Sequence, residues 1–181
     1  MKKLLLIIII LGIIALLFTW KGDTETNPTN IPGNEVRNEN PDPSNATFIF
    51  DDEPITLLNG RSERPLAPGS ALVEETAILG TIAYGDLNAD DKEDAALLLL
   101  RSGGGSGSFI YVALFISGPI TYKGTDAIFI GDRVSPQNIS INNGIVTVKY
   151  LDREEDEAMA AEPTVSVSRE FIYKDGSFEE R

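Results

Sequence analysis

The stretch GDLNADDKEDAALLLL, residues 85–100, joins a cluster of acidic residues directly to an uninterrupted apolar run. The run AALLLL is too short, and too closely bracketed by Gly and Asp, for a convincing helix. It therefore predicts a central strand that is buried on both faces. FIYVALFI, residues 109–116, is a second run of the same kind, and the glycine-rich GGGSG between the two runs predicts a hairpin connection.

Turn signals and alternating patterns extend the β interpretation outward from this stretch. Asn59-Gly60, Asn143-Gly144 and Asp175-Gly176 are dipeptides that favour the positive φ angles of two-residue hairpin turns. Apolar and polar residues alternate over residues 146–150, as in a strand with one buried face. SALVEETAILG, residues 70–80, fits a helix and a strand equally well. The sequence predicts a mainly β, antiparallel, sandwich-like domain with at most one or two short helices.

The first twenty residues differ from the rest of the chain. Two lysines precede an apolar run from Leu4 to Trp20, which as a helix reaches roughly 25 Å, near the lower limit for crossing a bilayer. A cleaved signal peptide is the alternative, but no small-residue cleavage pattern follows the apolar run. Residues 1–20 are therefore predicted to be an uncleaved transmembrane helix, with a cytoplasmic N-terminus and the remainder extracytoplasmic.

Composition divides the remaining chain in two and limits its partners. Residues 21–45 are rich in Asn, Pro, Thr and Glu and predict a disordered tether, and residues 46–181 predict one extracytoplasmic β-rich domain. The net charge of −13 includes Lys2 and Lys3, so residues 21–181 carry −15. This charge disfavours nucleic acid and is compatible with divalent cations and cationic partners.

The acidic cluster has the spacing of a calcium-binding loop. Asp86, Asn88, Asp90 and Asp94 stand at relative positions 1, 3, 5 and 9, and Lys92 at position 7 can offer its backbone carbonyl. Calcium binds six to eight oxygens of these types. An EF-hand is excluded because its twelfth position falls within the apolar run. The sequence predicts one structural calcium site, and the alternative is a solvated acidic turn that binds nothing.

Residues 86–94 resemble the D-x-[DN]-x-D-G-x-x-D calcium loop of FG-GAP and related repeats, with Asp91 where that pattern has Gly. LAPGSA, GDLNADDKEDAALLL, GGGSGSFIYVA, IGDRVSPQ and KYLDR also resemble, in order, the motifs of a family of uncharacterised exported bacterial domains. Some members of that family occur beside META domains. The resemblance covers most of residues 50–170 and implies no activity. Members of the family commonly have a Pro-Gly loop where this chain has Glu154–Glu157.

Three other features have competing interpretations. GGGSG lacks the following helix and nearby lysine of a phosphate loop, so a hairpin is preferred. The run Glu154–Glu157 is interpreted as a solvated face rather than a second cation site. Asp132-Arg133 and Asp152-Arg153 are predicted to be internal ion pairs at strand ends rather than catalytic groups.

The absence of two residue types limits the function. The chain has no His and no Cys, which excludes histidine-based triads, thiol nucleophiles and ordinary zinc sites. We therefore expect a membrane-tethered, non-enzymatic interaction or scaffold module with an unknown envelope protein as its partner. The alternative is a cell-envelope hydrolase that uses carboxylates alone.

Overall fold

The computed structural model describes residues 40–181, and this part of the chain consists almost entirely of β-strands. It contains one short 3₁₀ turn, Pro43–Asn45, and no α-helix. The strands are β1 (Thr47–Phe50), β2 (Glu53–Thr56), β3 (Arg61–Pro65), β4 (Val73–Gly85), β5 (Asp94–Gly103), β6 (Phe109–Ile116), β7 (Lys123–Gly124), β8 (Ile128–Asp132), β9 (Ser135–Asn142), β10 (Ile145–Asp152), β11 (Val165–Lys174) and β12 (Ser177–Glu180). Every pairing between these strands is antiparallel, which confirms the mainly β, antiparallel part of the predicted fold class.

The predicted transmembrane helix, residues 1–20, and most of the predicted tether lie outside the described residues. Within residues 40–181, no helix has the length and apolar character needed to span a bilayer. The folded part begins earlier than the predicted boundary at residue 46. Pro41 and Pro43 are buried, and the Ser44 carbonyl accepts a hydrogen bond from the N–H of Gly60. The last few residues assigned to the tether therefore belong to the domain.

The strands form three sheets. A six-stranded sheet has the order β3-β4-β5-β6-β7, and β8 pairs with β6 on the edge that it shares with β7. A four-stranded sheet has the order β12-β11-β10-β9, and β1 pairs only with β2. Neighbouring strands are consecutive in the chain in pairs such as β4-β5, β5-β6, β9-β10, β10-β11 and β11-β12, which the antiparallel arrangement allows without a crossover connection.

The six-stranded sheet is covered on both faces. One face packs against the four-stranded sheet, and their shared core includes Leu98, Val112, Leu114, Val148 and Phe171. Because neighbouring side chains of a strand point to opposite faces, Leu97, Leu99 and Ala113 lie in a second core under the β1-β2 hairpin. The apolar run of β5 is thus buried on both sides, as the sequence predicted. In β6 one face is buried, whereas the other is only partly covered and Phe109 at its start is exposed.

Two local predictions have different outcomes. Asn59 and Gly60 do adopt positive φ angles of 54° and 80°, but the turn closes only a single bridge between Leu58 and Arg61. The strands on either side of it, β2 and β3, belong to different sheets, so the predicted hairpin is not formed there. The ambiguous segment 70–80 enters the long strand β4 rather than a helix.

Candidate metal centre

The predicted calcium loop connects β4 to β5 and wraps around its first carboxylate. Asp86 Oδ1 accepts hydrogen bonds from the backbone N–H groups of Asn88, Ala89 and Asp90, at 3.2, 2.7 and 3.3 Å. Its Oδ2 accepts a fourth, from Asp91, at 3.1 Å. These donors hold the side chain at the centre of the turn and compensate its charge without a cation.

The loop repeats one local motif at alternate residues. Asn88 Oδ1 accepts the N–H of Asp90 at 3.1 Å, and Asp90 Oδ1 accepts the N–H of Lys92 at 3.0 Å. The residues between them take left-handed backbones, with φ 59° at Ala89 and 63° at Asp91. Asp91 therefore adopts the backbone that the Gly of the calcium-loop pattern favours, a conformation that Asp tolerates better than most residues.

Ser117, which the sequence did not single out, links three of the predicted ligands. It follows β6, and its hydroxyl donates to Asp90 Oδ2 at 2.7 Å. Asn88 Nδ2 donates to both the hydroxyl and the carbonyl of Ser117, at 3.0 Å each. The backbone N–H of Ser117 donates to Asp94 Oδ1 at 2.7 Å. The pairing of Ala95 with Phe115 brings the end of β6 beside the loop. Ser117 could therefore have been identified only from the register of β5 and β6, and not from the local sequence.

Asp94, the predicted ninth-position ligand, is fully buried, with a relative exposure of 0%. Its second oxygen, Oδ2, accepts the N–H of Leu87 at 2.8 Å. Asp94 thus joins the start of the loop to the end of β6. Each carboxylate oxygen offers two lone pairs, so these two hydrogen bonds leave acceptor capacity on both oxygens.

Lys92 brings a cation of its own to the loop. Its Nζ lies 3.4 Å from Asp90 Oδ2 and 3.3 Å from the carbonyl oxygen of Gly118. The Ser117 hydroxyl, and after it the hydrogen bonds and charge of Lys92, hold the pKa of Asp90 below its ordinary value. The ammonium group lies where it would compete with a metal ion for Asp90. The group of Lys92 that is predicted to bind the metal is a different one, its backbone carbonyl.

The donor chemistry of the loop suits calcium, but the residues do not form a ready-made carboxylate cage. Asp86, Asn88 and Asp90 offer hard oxygen atoms from one short loop, which is what calcium requires. Among residues 40–181, no group of three or more His, Cys, Asp or Glu side chains converges closely enough to hold a metal ion. Calcium binding would therefore depend on amide and backbone oxygens as well as on carboxylates.

The two predicted ion pairs differ in outcome. Arg133 pairs with Asp132 at 3.1 Å and lowers the pKa of that carboxyl, and the N–H of Ser108 donates to the same side chain at 2.9 Å. Asp152 and Arg153 do not pair through their side chains, so that prediction is wrong. Arg153 instead donates to the carbonyls of Ala161 and Arg133, at 2.6 and 3.0 Å, and thereby fixes the loop after β10.

The remaining candidate segments form connections. GGGSG joins the antiparallel strands β5 and β6 and leads into a strand rather than a helix, which agrees with the predicted hairpin. The acidic run Glu154–Glu157 is an exposed turn, closed by hydrogen bonds between its first and last residues.

Comparison of the chain with protein-family models, with curated proteins and with solved structures finds no match. The resemblance to the exported bacterial domains rests on the five sequence motifs.

Proposed function

We propose that the chain is a membrane-tethered extracytoplasmic interaction or scaffold module whose Asp86–Asp94 loop binds one structural calcium ion. The observation that carries this proposal is the connection between the loop and the core. Asp86, Asn88 and Asp90 lie on one wrapped turn, which Asp94 and Ser117 fasten to the ends of β5 and β6. A cation held by this turn would brace the end of the central sheet.

The state of the carboxylates supports a binding module over an enzyme. A carboxylate-only glycosidase needs two opposed acidic groups, roughly 5–9.5 Å apart, with access to substrate. Asp132 is engaged by Arg133, and both oxygens of Asp94 accept backbone N–H groups in the core. Neither side chain is a free acid or base beside a substrate cleft.

A cell-envelope hydrolase is the alternative, and one observation favours it. A shallow cavity of about 240 Å³ beside the β1-β2 turn is lined by Asp51, Asp52 and Asp126. Hydrolysis of an envelope glycan by residues 40–181, abolished by both Asp52→Asn and Asp126→Asn, would favour the hydrolase over the module.

Calcium should stabilise the fold by mass action. We expect residues 40–181 to bind calcium with a dissociation constant of about 0.1–1 mM, the weak range typical of extracellular modules. At 10 mM calcium this affinity adds about 1–3 kcal/mol to the free energy of unfolding, which for a domain of this size raises the melting temperature by roughly 3–10 °C. Scanning calorimetry with and without calcium measures the shift.

Two double variants separate a calcium site from a general effect of charge. Asp86→Ala with Asp90→Ala removes two ligands, and Glu155→Ala with Asp156→Ala removes the same charge from the exposed turn after β10. The calcium-dependent rise should disappear in the first and persist in the second. Equal rises in both, or none in the wild type, would mean that the loop is only an acidic turn.

A further inference from the structure

The chain contains two Asn-Gly dipeptides, and both form turns with the same backbone conformation. The φ angles are 54° and 80° at Asn59 and Gly60, and 51° and 74° at Asn143 and Gly144. Asn59 and Asn143 are both exposed. The two turns therefore differ mainly in the hydrogen bonds that surrounding residues make to them.

The Asn59-Gly60 turn is fastened to its neighbours by three hydrogen bonds. The N–H of Gly60 donates to the Ser44 carbonyl at 2.7 Å, and the N–H of Asn59 donates to Asn45 Oδ1 at 3.1 Å. The carbonyl of Gly60 accepts the N–H of Ile78 at 2.9 Å. The glycine nitrogen is thus engaged from outside the turn.

The Asn143-Gly144 turn lacks such anchors. It is the tip of the β9-β10 hairpin, and within residues 40–181 the N–H of Gly144 has no hydrogen-bond partner. Apart from its two chain neighbours, a Cβ atom added to Gly144 would meet no atom within 4 Å, so the tip projects into open space.

We propose that Asn143 is a site of spontaneous deamidation, whereas Asn59 is protected by the fold. The backbone nitrogen of Gly144 attacks Cγ of Asn143, a C–N bond forms, and the side-chain amide nitrogen leaves as ammonia with the proton that the glycine nitrogen loses. Water then opens the resulting succinimide at either carbonyl. The products are aspartate, or isoaspartate with one additional methylene in the main chain.

Backbone freedom decides which asparagine reacts. The attack requires the turn to leave its left-handed conformation, so the rate follows the population of the locally opened state. The tip of a hairpin frays readily, but opening at Asn59 breaks three additional hydrogen bonds. We therefore expect Asn59 to react at least roughly tenfold more slowly than Asn143.

The test is peptide mapping by mass spectrometry of the full chain, incubated at pH 8 and 37 °C for several weeks. The peptide that contains Asn143 should acquire the mass increase of an amide-to-acid conversion and split into aspartate and isoaspartate forms. The peptide that contains Asn59 is the internal control and should remain unchanged. In concentrated urea both asparagines should convert at similar rates.

A matched variant tests the cause of the protection. Asn45→Ala removes the side chain that anchors Asn59 without removing a buried group, so conversion at Asn59 should accelerate while conversion at Asn143 stays the same. The proposal is overturned if Asn59 converts as fast as Asn143 in the folded wild type. It is equally overturned if neither converts in the folded chain while both convert in urea.

Discussion

At the scale of single residues, Asp94 explains why acidic residues stand directly beside a buried strand. Its carboxylate accepts N–H groups from Leu87 on one side and Ser117 on the other, in a place without solvent exposure. Charged acceptors make stronger hydrogen bonds than neutral ones. The acidic loop is thus fastened to the sheet by its last member, whether or not a cation is bound.

Replacing Asp94 with Asn should destabilise the domain by about 2–3 kcal/mol. Asn has nearly the same shape as Asp. Its side-chain NH₂ group, however, would face the backbone N–H of either Leu87 or Ser117 and leave that N–H without an acceptor. Urea unfolding at pH 7 measures the loss. Asp91→Asn is the control, because Asp91 is exposed in the same loop and Asn tolerates its positive φ angle. A loss at position 94 no larger than that at position 91 would contradict this role.

The candidate site shows what local sequence can and cannot predict. The 1-3-5 spacing of Asp86, Asn88 and Asp90 is a local property, and so is the left-handed backbone at position 6. Ser117 is distant in the chain and joins the loop only because β5 and β6 pair in one particular register. The competing ammonium group of Lys92 was missed for another reason, since spacing does not reveal where a long side chain points.

At the scale of elements, a network of ion pairs joins four strands on the face that carries the β1-β2 hairpin. Arg101 of β5 donates to Glu74 of β4 at 3.0 Å and to Glu53 of β2 at 2.9 Å. Arg64 of β3 donates to Glu74 at 2.6 Å and also pairs with Glu53. The Arg101 guanidinium lies 5.5 Å from the centre of the Phe50 ring, so the network also contacts the hairpin core.

This network should make stability depend on pH. Burial alone raises the pKa of Glu74, but hydrogen bonds from Arg101 and Arg64 outweigh it and hold that pKa below its ordinary value of 4.5. A carboxyl with a depressed folded-state pKa stabilises the fold above its unfolded pKa. The contribution is lost as the pH falls below 4.5 and through the folded-state pKa.

Glu74→Gln should therefore lower the free energy of unfolding by about 1–2 kcal/mol at pH 7, and the difference from wild type should shrink below pH 4.5. Chemical unfolding between pH 7 and pH 3 measures both effects. Glu170→Gln is the control, because Glu170 and its partner Arg181 are 3.7 Å apart and both about half exposed. A difference at Glu74 that stays constant across this pH range would rule out the pH dependence.

Element types were predictable where the apolar pattern is strong, as in the continuous runs of β5 and β6 and the alternating residues of β10, and ambiguous in segment 70–80. Residues 146–150 alternate and lie in β10 as predicted, with Val146, Val148 and Tyr150 in the core. The segment 70–80 was ambiguous because its pattern depends on partners distant in sequence. Its Glu74 and Glu75 form ion pairs with arginines of neighbouring strands. The periodicity of the local sequence does not indicate these pairs.

At the scale of the whole molecule, the described domain has three layers, with β5 and β6 at the centre of both cores. The acidic loop and the turn after β6 lie at the same end of these two strands, joined by Ser117. Two tyrosines adjoin this end. Tyr84 is two residues before Asp86, and the Tyr122 hydroxyl donates to the Glu93 carbonyl at 2.9 Å.

The most direct test of the calcium proposal is terbium luminescence sensitised by these tyrosines. The single Trp of the chain is Trp20, so residues 40–181 contain no Trp to compete for excitation. Terbium should emit on tyrosine excitation, calcium should displace it at about 0.1–1 mM, and the signal should be lost in Asp86→Ala with Asp90→Ala. The Glu155→Ala and Asp156→Ala variant should emit like wild type. No sensitised emission from the wild type, or equal emission from all three proteins, would contradict a calcium site in this loop.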